Sequence, residues 1–291
     1  MIAGSALMGA GAAGSWGVGD FTARFLGRAI GVPQGLFGMM LVGSLAVGLY
    51  IVVSGETLVW ELSGLWLLAL NGVATMLATL MLFEALTRGP VSLGSPMVSS
   101  YPAFAVPITV VFGARPEIIH WIAMAATLGG VWLVALAVSR VEGGDKPEYA
   151  PAVLRRAALM ALGSAVLFAV ALLAADEAIE RYGLPLTLLS GRIVGAVALG
   201  AGFLVMRRLP RMPLRAWPLI LLIALVDTIG YVFVYAGLAL ENGEFAIVTS
   251  SAYSVVTIIL ARIFLREPVI PLQWLGVAIV IAGIGTLSAT G

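Results

Sequence analysis

Residues 31–48 read GVPQGLFGMMLVGSLAVG, and residues 183–200 read GLPLTLLSGRIVGAVALG. Laid on each other at an offset of 152, they match Gly31 with Gly183, Pro33 with Pro185, Gly43 with Gly195 and Gly48 with Gly200. The offset carries outward, pairing Leu86 with Leu238, Ser99 with Ser251, Tyr101 with Tyr253, Phe112 with Phe264 and Pro116 with Pro268. A drift of one residue adds Trp66 with Trp217 and Trp121 with Trp274. Gly and Leu coincide easily in a chain rich in both, whereas Pro, Trp and Tyr at nearly constant offset do not. The chain reads as an internal duplication. Duplicated hydrophobic halves point to a transporter whose substrate site lies where the repeats meet.

Composition settles the solvent. Hydrophobic residues make up 61% of the chain and charged residues 11%, against about 25% charged in soluble domains. Gly64–Phe83, Val91–Ala114 and Pro268–Gly291 each supply the run of about 20 apolar, mostly uncharged residues that crosses a bilayer as a helix. Several such runs in one chain make an integral membrane protein. The first apolar stretch has no Lys or Arg before Arg24, so it lacks the basic start of a signal peptide and is expected to remain as a span. With no cysteine and His120 as the single histidine, no thiolate or histidine-rich metal site is expected, and no cofactor. A net charge of +1 speaks against nucleic acid as a partner. Fifteen Arg against one Lys (Lys146) suits a GC-rich bacterial genome, and the expected location is a bacterial cytoplasmic (inner) membrane.

Apolar runs between charged or Pro/Gly breaks predict ten transmembrane helices, near 4–24, 33–54, 64–87, 91–113, 117–139, 154–180, 184–206, 216–240, 244–265 and 269–289. Helices are expected because the runs are continuous rather than alternating with period two. The fold class is an all-α integral membrane protein. Its domains are a first five-helix repeat over 1–139, a solvated linker over 140–152 and a second repeat over 153–291. Five spans per half is an odd number, so the second copy enters the membrane inverted. The loops after spans 1, 3, 5, 7 and 9, with their helix ends, hold thirteen basic residues; the opposite face holds Arg115 and Arg181. The positive-inside rule then places the odd loops in the cytoplasm and both termini outside.

The end of each half carries a recognisable signature. Residues 264–284, FLREPVIPLQWLGVAIVIAGI, resemble the closing hairpin of the EamA-type repeat in the drug/metabolite transporter superfamily. There an acidic residue, here Glu267, ends the fourth helix, and a glycine-rich face, here Gly276, Ile281 and Gly283, packs the fifth. The first copy, FGARPEIIHWIAMAATLGGVWL (112–133), departs from this, with Glu117 displaced and Arg115 before the proline. The segments GSWG (14–17) and SSYPAF (99–104) look like those of amino-acid exporters of the YddG kind. The resemblance implies cytoplasmic termini; the loop charges of this chain imply the opposite, and the expectation here follows the charges.

Asp227 is the sharpest single residue. It sits mid-span, where an ionised carboxylate costs several kcal/mol unless paired, wetted or protonated. Tyr231 and Tyr235 share its helical face. It reads either as a cavity acid that meets a substrate ammonium or carries a proton, or as a structural hydrogen bond between helices. Arg192 is the other isolated charge within a span; it lines the cavity or, as expected here, pairs with Asp176 or Glu177. Asp20 with Arg24 and Glu84 with Arg88 are i,i+4 pairs at helix ends, expected to be local structure or gate charges. Pro96, Pro102 and Pro107 are expected to bend span 4, which carries Ser95, Ser99 and Tyr101. Span 9 presents Ser250, Ser254 and Thr257 beside Ser251 and Tyr253, with no proline. Such stripes are a site or merely interhelical glue. Trp16 and Phe168 are candidate aromatic walls. The string GAGAAG (9–14) matches GxGxxG but lies inside span 1 with no preceding strand, so it is a helix-packing face rather than a nucleotide loop.

The expected function is secondary export of amino acids, apolar or aromatic, or of similar small metabolites, by alternating access. Hydrophobic drug efflux, or import of another metabolite, is the alternative within transport. A scaffold or an intramembrane enzyme is the alternative outside it. The partners expected are a small-molecule substrate and the lipid bilayer, with proton coupling through Asp227 and a monomer rather than an obligate oligomer.

Overall fold

The computed structural model describes residues 2–112, 115–142, 149–265 and 270–289. Glu267, Arg266, Pro268, Lys146, Gly291 and linker positions 143–148, all invoked above, lie outside these residues.

The described residues are mostly helical, with no strand among them. The first repeat comprises α1 (Ile2–Ile30), α2 (Val32–Ser54), α3 (Leu65–Arg88), α4 (Val91–Val98), α5 (Pro102–Val111) and α6 (Ile118–Glu142). The second comprises α7 (Pro151–Val205), α8 (Trp217–Leu238), α9 (Glu244–Ser250), α10 (Tyr253–Leu260), a π-helical turn at Ala261–Leu265, and α11 (Pro271–Ala289). Val32–Ser54, Leu65–Arg88, Pro151–Val205, Leu214–Leu238 and Glu244–Leu265 are long and apolar enough to cross a bilayer. Helix α7 is two spans: its backbone breaks at Gly183, with φ 75° and ψ 162°. With α4–α5 and α9–α10 each forming one interrupted span, the chain crosses ten times as two inverted five-helix repeats.

The repeat seen in the letters is repeated in the backbone. Gly31 joins α1 to α2 with φ 88° and ψ 145°, the conformation of Gly183, and each is followed two residues on by a proline that opens the next helix. This region is essentially closed to residues with a Cβ, which is why both copies need glycine there.

Span 4, expected to bend at its prolines, is interrupted just before Pro102, and span 9, which has none, is interrupted as well. Pro96 and Pro107 lie inside helices, and Pro102 opens α5. The breaks fall at 99–101 and 251–252, the same place in each repeat although span 9 has no proline. Both breaks carry serines that bond back to their own helix. Ser99 and Ser100 donate to the carbonyls of Pro96 and Met97 at 3.0 and 2.7 Å, and Ser250 and Ser251 to those of Ile247 and Val248 at 3.0 and 2.6 Å. These three-residue closures tighten the backbone into a turn and compete with the α ladder. Ser99 and Ser251 thus bond within their own helices, and Ser254 is directed at the Ser251 carbonyl at 3.5 Å.

Each repeat's first span packs on the other's third and fourth: α1 lies against α8, α9 and α10, and the first half of α7 against α3, α4 and α5. Close approach needs small residues. A Cβ at Gly9 would strike Ala246 and Thr249, and one at Gly17 would strike Val256, so the GAGAAG face serves packing. On the symmetry axis α2 packs on the second half of α7, and α6 on α11, where Gly130 meets the Gly276 carbonyl.

Candidate functional site

Spans 1, 3 and 4 of the first repeat meet spans 6, 8 and 9 of the second around a central cavity of about 30 Å³, room for a water or two. Its lining comes largely in symmetry pairs. At the offset of 152, Trp16 corresponds to Phe168, Asp20 to Leu172, Thr79 to Tyr231 and Tyr101 to Tyr253, and Leu82, Phe83 and Asp227 complete the wall. Of the candidates from sequence, Trp16, Asp20, Tyr101, Phe168, Asp227 and Tyr231 come together here. Ser99, Ser251 and Ser254 do not line it, and Glu84 pairs with Arg88 at the odd-loop end beside Arg156, away from the centre. The sequence reading gave no cavity role to Thr79, Leu82, Phe83 and Leu172, and left Tyr253 as a neighbour of the serine stripe. The repeat offset pointed to three of these, since each is the counterpart of a singled-out residue: Thr79 of Tyr231, Leu172 of Asp20, and Tyr253 of Tyr101.

The aromatic groups hold the walls together. Trp16 meets Tyr231 edge-on with ring centroids 5.0 Å apart and Tyr253 at 6.3 Å, while Tyr101 lies 6.2 Å from Phe168. The two tyrosines at the helix breaks tie the repeats reciprocally. Tyr101 Oη lies 2.6 Å from Ser250 Oγ, and Tyr253 donates to the Ser95 carbonyl at 3.4 Å. Trp16 Nε1 is buried with no hydrogen-bond partner.

Two pairings differ from expectation. Arg192 does not pair with Asp176 or Glu177; its Nη1 lies 2.5 Å from Asp227 Oδ2, an ion-pair approach without hydrogen-bond angles. Arg192 is almost wholly buried where α2, α7 and α8 meet, and its guanidinium stands 4.8 Å from the Tyr231 ring centre. Glu177 is taken instead by Arg181 at 2.7 Å, because that arginine sits one turn on along the same helix end. Nor does Asp20 pair with Arg24. Asp20 turns into the cavity and accepts a hydrogen bond from Ser95 at 3.3 Å, while Arg24 reaches Tyr149 at 3.2 Å. Spacing of i,i+4 allows an ion pair, but here packing rotates the acid inward and the base to the helix end. Behind the cavity, Asn71 donates to the Ala171 carbonyl and to Tyr235, both at 2.9 Å.

A second, larger space of about 690 Å³ opens at the even-loop end, between α3, α5, the first half of α7 and α9. Its lining includes Asp176, Glu177, Glu180 and Glu244 among Trp66, Ile108, Phe112 and Leu173. The basic groups Arg24, Arg28, Arg88 and Arg156 gather at the other end, where Arg28 bonds the Thr87 carbonyl at 3.4 Å.

A central cavity between inverted repeats, with a wide vestibule at one end, is the architecture of membrane transporters built from repeats. The model of the EamA-like transporter family matches the chain twice, over residues 4–136 and 155–289, and the chain belongs to that family. It is thus a multi-pass membrane protein of a family that transports small substrates. A solved structure described only as "Crystal structure of protein" aligns with a TM-score of 0.70 over 99% of both chains at 17% identity, a likeness of fold. No curated protein matches the chain.

Proposed function

We propose that the chain is a secondary exporter of amino acids or similar small metabolites, working by alternating access in a bacterial inner membrane with both termini outside. The observation that carries this reading is the central cavity itself: aromatic walls from both repeats, one carboxylate without an ion-pair partner among the described residues and one unpaired indole N–H. A small amphipathic molecule with an ammonium group and an apolar side chain complements that lining. At about 30 Å³ the cavity is too small for an amino acid, so binding requires the repeats to part around it. The protein in proteoliposomes should exchange labelled aromatic or branched amino acids, with competition among them. Efflux of hydrophobic drugs is the second reading, favoured by the predominance of ring carbon in the wall. Exchange blocked by apolar cationic drugs but insensitive to amino acids would select it, and no exchange of either class would refute transport of this kind.

A further inference from the structure

We propose that Asp20 is the group on which this transporter exchanges a proton for the ammonium of its substrate, so that transport is proton antiport. The proposal rests on the transport reading above and names its recognised group and its coupling ion.

The charges around the cavity do not cancel. Asp227 and Arg192 neutralise each other at 2.5 Å. Asp20 is 5% exposed, and among the described residues no Lys or Arg nitrogen comes within ion-pair distance of it; its hydrogen bond is the one from Ser95. A lone carboxylate at membrane depth is costly when ionised. It is accommodated by water in the small cavity, by taking a proton, or by meeting a cation that arrives, and only the last two exchange with each other. The surrounding rings of Trp16, Phe83, Tyr101, Phe168, Tyr231 and Tyr253 suit the cation, since aromatic faces attract ammonium groups.

The position also breaks the repeat symmetry. Its counterpart in the second repeat is Leu172, on the same cavity wall. A helix-packing role would be served by the leucine in both copies, so the acid adds something the frame does not need. The other titratable groups facing Asp20 are Tyr101, Tyr231, Tyr253 and Asp227 with its Arg192, while Arg24 on the same helix is directed to Tyr149. The tyrosines remain neutral hydroxyls at working pH, and Asp227 keeps its cation, which leaves Asp20 as the group free to exchange. The step balances: the carboxylic acid releases one proton to water as one R–NH3+ takes its place beside the carboxylate. For a monoamine the exchange is electroneutral.

Binding of tryptamine and of tryptophan, which share a ring and an ammonium, tests this in lipid nanodiscs by calorimetry in two buffers of different ionisation heat. Where Asp20 starts protonated, the native protein should release about one proton per tryptamine bound, and its apparent affinity should rise about tenfold per pH unit, as linkage requires. Asp20→Asn, which keeps a polar group toward Ser95, should lose proton release and weaken tryptamine at least tenfold; Asp20→Glu should restore both at a shifted pH. Proton release that persists unchanged in Asp20→Asn overturns the proposal, as does pH-independent binding by the native protein. Exchange of labelled amino acids at equal pH on both sides reads the transport hypothesis separately. Exchange that survives with no proton release sinks only the role of Asp20, and loss of all exchange and binding in the native protein sinks both.

Discussion

Arg192 and Asp227 stand where the first repeat has Met40 and Thr75, and Arg192 Nη1 also lies 3.9 Å from the Met40 sulfur across the symmetry axis. The ion pair is therefore an addition to a frame that packs with an apolar and a hydroxyl side chain at the same positions. Removing one partner leaves a buried charge uncompensated, at a cost of about 3–5 kcal/mol. Arg192→Met and Asp227→Thr should each lower the unfolding temperature in detergent markedly, while the double substitution, which copies the first repeat, should recover most of the loss. Additive losses in this double-mutant cycle would show that the two groups do not act as a unit. Loss of transport in Asp227→Asn would accordingly report stability first, and coupling only if the variant melts as the native protein does. Gly230 faces the Trp16 indole so closely that an added Cβ would collide with it. Gly230→Ala should cost about 1–3 kcal/mol of overpacking and, by displacing a cavity wall, weaken substrate affinity in exchange assays while insertion stays normal. At this scale the sequence showed which residue types are anomalous in a membrane, and it misjudged their partners. Asp20 has a basic residue one turn away and Arg192 has acids one loop away, but the rotation of each helix against its neighbours decides which group each one meets.

Among the elements, the paired breaks are what an offset of 152 predicts of the backbone. Gly31 and Gly183 hold positive φ with extended ψ, where a Cβ is strained. Gly31→Ala or Gly183→Ala should each destabilise by about 1–3 kcal/mol. Gly202→Ala, where the added methyl meets nothing within 4 Å inside a regular helix, should be neutral or stabilise by up to about 1 kcal/mol. Thermal unfolding of the three variants checks this, and equal effects at all three would show that the Gly–x–Pro hinge carries no special conformation. Span number, order and inversion were legible because bilayer thickness and hydropathy set them locally. The break of span 4 falls directly before Pro102, where proline marked it, whereas the break of span 9 was not legible because no proline marks it. At both breaks the other repeat supplies a partner to the tyrosine, Ser250 for Tyr101 and the Ser95 carbonyl for Tyr253.

For the molecule as a whole, the alternating access proposed above makes the opposite-facing state this structure with the roles of its two ends exchanged. At the odd-loop end Phe21 lies against Phe264, with ring centroids 5.6 Å apart. Their counterparts at the even-loop end, Leu173 and Phe112, both line the wide vestibule. The wider opening, about 690 Å³, is at the even-loop end, and a smaller space of about 290 Å³ lies at the odd-loop end beside Glu84, Arg88 and Arg156. The charges divide between the same two ends: Asp176 and Glu180 of the vestibule correspond to Arg24 and Arg28 at the odd-loop end. Rocking the repeats should bring Leu173 and Phe112 together as Phe21 and Phe264 separate. The chain has no cysteine, so engineered thiol pairs report each contact without background. A short bis-thiol reagent should link Phe21→Cys/Phe264→Cys and hold Glu177→Cys open to a membrane-impermeant maleimide. Linking Phe112→Cys/Leu173→Cys should protect Glu177→Cys, and either link should stop exchange in proteoliposomes. With the odd loops cytoplasmic, Glu177→Cys reacts from outside intact cells and Arg208→Cys does not; the reverse labelling would invert the orientation while leaving the gate pairs intact. Both pairs linking in one molecule without loss of exchange would overturn alternating closure at these positions.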